Sequence, residues 1–216
     1  MVDVVHREIR AVEMVIGNGR IEKVNEVNES GGPYILPGFV DAHIHIESSL
    51  VTPLSFSYEA VKKGTIGVMT DPHEIANVMG IGGVEYMIDS AKKSPLKIIF
   101  GAPSCVPATA FESAGDNVSP TDIETLFRSG KASFLSEMMN FPGVIHQDPE
   151  VLEKLKLARR YGVPADGHAP GLTGSALQQY IDSGISTDHE CSSIEEAREK
   201  LQRGMKIIIR EGSAAR

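Results

Sequence analysis

The sequence predicts an α/β protein: an incomplete (β/α)8 TIM-type barrel of about seven strands, preceded by part of a small β-module. Three observations lead there. From residue 37 onward strand-type and helix-type runs alternate, the strands recurring at intervals of roughly 20–35 residues. Gly64, Gly130, Gly162, Gly184 and Gly204 fall where each helix must stop before the next strand. The polar residues capable of chemistry gather at the C-terminal ends of the strands, and in a parallel barrel those ends converge on one face.

Residues 1–36 form the β-module. Val2 to Val5, Val12 to Ile16 and Ile21 to Val27 are short β-type runs, and Gly17-Asn18-Gly19 between the last two is a hairpin signal. Pro37-Gly38 then turns the chain into the barrel domain, 37–216, and its first strand, Val40–Ile44. A helix follows over Thr52–Lys63, with Thr52 as N-cap and Pro53 at its first position. Ile66–Thr70 is the second strand and Ile81–Lys93 its helix. Lys97–Phe100 leads to a helix over Pro120–Arg128, capped by Ser119 or Thr121. Ser133–Ser136 leads to Pro149–Arg160, capped by Asp148, and Val163–Asp166 to Gly174–Asp182, capped near Thr173. Ile185–Thr187 precedes Ser193–Arg203, capped by Ser192 or Ser193, whose Glu195-Glu196 complement the helix dipole, and Met205–Ile209 is the last strand.

Composition narrows the function classes. A net charge of −8 argues against nucleic acid or an anionic membrane surface as partner. Cys105 and Cys191 stand far apart with no C-x-x-C, which indicates neither a disulfide framework nor a structural zinc site. That fits a reducing cytoplasm, the expected location, and no apolar run approaches the ~18 residues of a membrane span. No G-x-G-x-x-G follows the first strand and no P-loop motif occurs, so dinucleotide and nucleoside-triphosphate readings fall away.

Five of the seven histidines sit at strand ends. In Asp41-Ala42-His43-Ile44-His45 strand alternation points both imidazoles to one side, half a transition-metal site. Glu137 ends the fourth strand in the apolar setting Phe134-Leu135-Ser136-Glu137-Met138, where an unpaired carboxylate would be expensive to bury. His168 and His189 follow strands five and six. Together they read as a binuclear site: His43 and His45 on one metal, His168 and His189 on the other, Glu137 bridging. A bridged pair lowers the pKa of a shared water and yields hydroxide at neutral pH, so the implied reaction is hydrolysis at an sp² carbon. Plainer readings exist for some of these residues. His168 fits a loop residue, His189 beside Asp188 and Glu190 fits a surface salt-bridge partner, and Asp71-Pro72-His73-Glu74 fits an N-cap with a first-turn acid as well as a substrate contact.

The string Pro37-Gly38-Phe39-Val40-Asp41-Ala42-His43-Ile44-His45 resembles the first-strand signature of the amidohydrolase superfamily. Further strings resemble its bacterial and archaeal adenine deaminases: His45–Ser49, Asp71–Val78, Pro103–Thr109, Glu137–Val144, Gly167–Leu172, Thr187–Glu190 and Arg210–Arg216. The resemblance implies hydrolytic deamination of adenine to hypoxanthine and ammonia. It also implies Mn2+ or Fe2+ as the metal pair, with Zn2+ acceptable to the same ligands. The small-molecule partner would be a purine base, with Asp71, His73, Glu74, Ser104 and Glu190 as the residues to contact it. Another cyclic-amide amidohydrolase, or a non-catalytic metal-binding subunit, are the alternatives.

The family's barrel has an eighth strand carrying an aspartate that ligates metal and moves the proton. The 216 residues end before such a strand, so the expectation is a fragment or one part of a split enzyme, completed by a second polypeptide or present as a homo-oligomer. The catalytic proton carrier is then unassigned. An ammonia-release assay on adenine is expected to find little or no turnover by these 216 residues alone.

Overall fold

The computed structural model describes residues 1–28, 31–109 and 111–210. The chain divides into two compact units, Met1–Phe39 and Val40–Arg216. In the first, β1 (Val2–Asp3) pairs antiparallel with β2 (Glu8–Ile9), and β3 (Val12–Gly17) with β4 (Arg20–Glu26). Asn18 and Gly19, at φ 52° and 71°, make the tight turn that the Gly-Asn-Gly signal predicts. The predicted strand over Val2–Val5 is shorter than expected. The Asp3 carboxylate accepts the Val5 and His6 backbone N–H groups at 3.1 and 3.0 Å, folding the chain back into β2, which no local signal announces.

The second unit is the barrel. Its strands are β5 (Phe39–Ile44), β6 (Thr65–Thr70), β7 (Lys97–Ala102), β8 (Phe134–Met138), β9 (Ala165–Gly167), β10 (Thr187–Asp188) and β11 (Lys206–Ile207). The first five of these form one sheet in chain order, the pairings from β6 to β9 being parallel. Parallel β10 and β11 follow, tied to β9 by a bridge between Ala165 and Ile185. Among the described residues a helix follows each of these strands except the last: α1 (Pro53–Lys62), α2 (His73–Ala91), α3 (Pro120–Arg128), α4 (Phe141–Ile145) with α5 (Pro149–Tyr161), α6 (Gly174–Asp182) and α7 (Ile194–Gln202). Among the described residues no helix is long and apolar enough to cross a membrane. The core lies between the sheet and its helices, with Leu135, Met138, Ala165 and Ile185 meeting Ile123, Leu126, Leu155, Leu177 and Tyr180.

Several helix starts obey their capping chemistry, but Thr173 stands at the start of α6 without a side-chain bond, and Glu199 Oε1 accepts the Gly174 N–H at 2.9 Å instead. Ser119 and Asp122 form a reciprocal capping box ahead of Pro120. Asp148 accepts the Glu150 and Val151 N–H groups at 2.9 and 3.0 Å, and Ser193 accepts that of Glu196 at 3.2 Å. Gly162 ends α5 in the left-handed region at φ 66°.

One helix departs from expectation. The run predicted over Ile81–Lys93 is the second part of α2, which begins at His73 and breaks at Gly80 (φ 56°, ψ −146°). Asp71 is not its cap. Pro72 holds that position without a side-chain bond, and Glu47 Oε1 accepts the Glu74 and Ile75 N–H groups at 3.1 and 3.3 Å instead. The anion that starts this helix comes from another segment, so no local pattern could place it. The short α4 and the 3-10 turn Ile46–Ser49 were likewise not expected.

Ser119→Ala, which deletes half of the capping box, is expected to lower unfolding free energy by about 1 kcal/mol. Urea titration should show a lower midpoint at an unchanged slope.

Candidate metal centre

Seven side chains from the C-terminal ends of five strands meet on one face. His43 and His45 end β5, Asp71 and His73 follow β6, Glu137 lies in β8, His168 follows β9 and His189 follows β10. Glu137 is 2% exposed and is the hub. Its Oε2 lies 2.7 Å from His168 Nδ1 and 2.8 Å from His189 Nε2. Its Oε1 faces His73 Nδ1 at 3.3 Å and His45 Nε2 at 3.4 Å. At this face, among the described residues, the donors that could share a metal ion fall into three groups: His45, Asp71, His73 and Glu137; His43, Glu137 and His189; and His168, His189 and Glu190; a fourth group, Asp3, His6 and Glu8, lies in the first unit. This partition cuts across strand order, because His43 reaches toward His189 and their rings stack with centroids 3.6 Å apart.

Hydrogen bonds behind the rings fix which nitrogens face inward. His43 Nδ1 donates to Asp166 Oδ2 at 2.9 Å and His45 Nδ1 donates to the Asp71 carbonyl at 3.0 Å. With both rings neutral, only the Nε2 lone pairs remain, and these two atoms stand 3.1 Å apart. Two acceptors cannot satisfy each other at that distance; a cation between or beside them can. Buried polar atoms without a hydrogen-bond partner cluster here too: both carboxylate oxygens of Asp71, His73 Nδ1, His189 Nδ1 and Glu47 Oε2. Imidazole and carboxylate donors with unused lone pairs suit a first-row divalent metal. The residues fit one.

The electrostatics follow from charges facing each other under low exposure. Burial opposes the charged form of His73, but Asp71, 3.2 Å away, and then Glu137 outweigh it and push the ring up to about 9. His189 likewise reaches about 9, burial being outweighed by Asp166 and Glu137. Burial would raise Glu137, yet the His168 and His189 rings hold it well below the usual carboxylate range. Asp166 is held low in the same way by His189 and His43. Burial pushes His45 down and Glu47 up to about 7.

The remaining expected substrate residues sit around this cluster. Ser104 is buried and donates its hydroxyl to the Glu137 carbonyl at 2.5 Å. Glu74 is exposed and accepts from Ser48 Oγ at 2.6 Å. Glu190 pairs with Arg210. His189 is 4% exposed and is no surface salt-bridge partner. Sequence reasoning missed Asp166 and Glu47. The Asp-Gly-His string holding Asp166 was visible, but its strand alternation toward His43 needed the exact bounds of β9. From Glu211 on, the Arg210–Arg216 string lies outside the described residues.

The sequence matches the amidohydrolase family over residues 34–213. The chain belongs to that family. It is 55% identical over 216 residues to the adenine deaminase of Methanosarcina mazei, covering all of this chain and 39% of that protein. The adenine deaminase of Parabacteroides distasonis is 51% identical over 216 residues, with 40% of its length covered. The chain thus spans about two fifths of the curated relatives it matches. Among solved structures, N-isopropylammelide isopropylaminohydrolase from Burkholderia multivorans is similar at a TM-score of 0.56 and 18% identity, over 94% of this chain and 66% of that one. The Escherichia coli TatD homologue YjjV gives 0.53 and 19%, over 78% and 66%. At that identity the two structures bear on the fold, which for this family member is the incomplete barrel that the sequence predicts.

Two outcomes follow for the metal-free protein. His189 and His73 rise from 6.5 to about 9 on folding, so the stability they contribute is full below about pH 6.5 and is lost as pH climbs toward 9. Thermal midpoints should fall across that window, and His189→Asn should flatten the fall. A metal that takes His189 must also displace its proton. Zn2+ titration near neutral pH should therefore release protons, seen as a heat that depends on the buffer; a buffer-independent heat would contradict the assignment.

Proposed function

We propose that this chain carries the metal centre of an adenine deaminase, which converts adenine and water to hypoxanthine and ammonia. The chemistry rests on one observation: a buried carboxylate, Glu137, whose two oxygens divide His168 and His189 from His45 and His73. The choice of adenine is supported by the 49–55% identity, over this whole chain, to proteins named adenine deaminase.

His43, His45, His168 and His189 would hold the divalent ions together with Glu137, the close donor groups pairing His43 with His189 rather than with His45. When bound, Mn2+ or Fe2+ would supply Lewis acidity and a water made acidic enough to react at neutral pH. Asp166 keeps the His43 ring in the tautomer whose Nε2 faces inward, and the Asp71 carbonyl does the same for His45. His73 and Asp71 remain for the purine. His73 holds a proton on the ring beside Asp71 Oδ2 at 3.2 Å and would be the group to pass it to the departing amine. Glu74, exposed, and Glu190, half-buried and paired with Arg210, would offer carboxylates to the one ring N–H and the exocyclic amine of the base. Ser104 supports the site from behind, through the Glu137 carbonyl, with its hydroxyl available to the purine only if that bond is exchanged. A cytoplasmic setting and a purine-salvage role accord with this reaction.

The test is a chimera in which these 216 residues replace the matching segment of the M. mazei relative. It is expected to release ammonia from adenine and to leave cyclic ureides untouched. Turnover of a ureide without adenine would move the chain to another amidohydrolase activity. A folded, metal-loaded chimera inert to both would support the non-catalytic reading. In the active chimera Asp71→Asn should lose about 10²–10⁴-fold in turnover, the range for a positioned proton donor, with bound metal counted alongside to separate proton positioning from ligation.

A further inference from the structure

Behind the metal-facing surface the protein buries one ammonium completely. Lys200 on α7 has no exposed surface, nor has Asp188, and Glu196 is 4% exposed. An ammonium has three N–H donors. The structure supplies three acceptors: the Ala169 carbonyl at 2.7 Å, Asp188 Oδ2 at 2.7 Å and Glu196 Oε1 at 2.6 Å. Ala169 is the residue after His168, and Asp188 is the residue before His189. One charge therefore grips the covalent neighbours of two ring-bearing residues that come from different strands.

The carboxylates extend that grip through backbone. Asp188 accepts the Ala169 N–H at 3.2 Å and the Glu190 N–H at 2.8 Å. Glu196 accepts the Gly171 N–H at 2.9 Å, and the Ser192 N–H and hydroxyl at 3.0 Å. Both loops thus hang from α7. Net stability is a poor reason for such an arrangement, since apolar replacements of buried ionic triads are often neutral or stabilising. Geometry is a better one. His168 and His189 must reach the same oxygen, Glu137 Oε2, at 2.7 and 2.8 Å, and a shift of a few tenths of an ångström in either loop would separate them. No bond of Lys200 goes to β5, to β6 or to the residues that follow them, where His43, His45 and His73 lie.

We propose that Lys200, through Asp188 and Glu196, is the positioning residue of the metal centre, holding the His168 and His189 side in register with Glu137. The inference rests on the reading of these histidines as metal ligands. It makes the role asymmetric: one half of the centre depends on Lys200 and the other does not.

The experiment titrates the full chain with Mn2+ alone and counts bound equivalents by elemental analysis, with near-ultraviolet circular dichroism reporting the fold. Three variants are compared with wild type. Lys200→Met removes the ammonium. The triple variant Lys200→Met, Asp188→Asn, Glu196→Gln leaves no buried charge unpaired and so preserves the fold. Lys154→Met removes another buried lysine, 5% exposed and paired with Glu150 on α5, as the control. Wild type and Lys154→Met are expected to take up two equivalents. The triple variant, folded, should bind one equivalent as wild type does and the other about 10–100-fold more weakly, the usual effect of losing an outer-shell support. A folded triple variant with both equivalents at wild-type affinity overturns the proposal. Loss of both equivalents together with the near-ultraviolet signal also overturns it, in favour of a purely structural role. A wild-type chain that binds no Mn2+ overturns the metal-centre reading itself, a result distinct from the other two.

Discussion

Everything at the functional end of this barrel is organised by the Glu137 carboxylate. It is buried, it carries its charge far below the usual carboxylate range, and it survives there only because imidazoles surround it. Each ring is in turn oriented from behind: His43 by Asp166, His45 by the Asp71 carbonyl, His168 and His189 by the loops bound to Lys200. Even the backbone of Glu137 is engaged, by Ser104, while Tyr180 spans the carbonyl of Met138 and the N–H of His168. The result is a set of metal-competent donors whose freedom is removed before any ion arrives, which is what preorganisation requires of a site on rigid elements.

What the sequence reveals of this depends on the range of the forces involved. The barrel strands, the caps at Ser119, Asp148 and Ser193 and the turn at Asn18-Gly19 were legible because each is decided within a few residues. The convergence of His43, His45, Glu137, His168 and His189 was legible for a different reason: parallel topology turns a one-dimensional rule, polar residues at strand ends, into a three-dimensional site. The true start of α2 was not legible, because its first amides are satisfied by Glu47 from another segment. Asp166 and the Lys200 network were hidden for the same reason. A lysine in Glu195-Glu196-Ala197-Arg198-Glu199-Lys200 reads as an exposed helix charge, and only the tertiary structure turns that face inward.

The imidazoles around Glu137 also show how burial can be used in opposite directions within a few ångströms. His45 donates to a neutral carbonyl, and burial drives it toward the neutral ring. His73 and His189 face carboxylates, and the same burial fails to discharge them. A centre that must hold metal on some rings and a proton on another needs this kind of separation, and it is achieved here by choosing what stands behind each ring.

The break at Gly80 has a mechanical meaning. It divides α2 into a short segment that starts at His73 and a longer one that packs along the barrel. The loop after β7 closes over the division: the Gly115 N–H bonds to the Asn77 carbonyl at 2.7 Å, and a Cβ on Gly80 would fall 2.1 Å from Asp116 Oδ2. Gly80 is a joint with a latch across it. A side chain at residue 80 would be strained at this positive φ and would press on Asp116, disturbing the joint at the end of the segment that begins with His73.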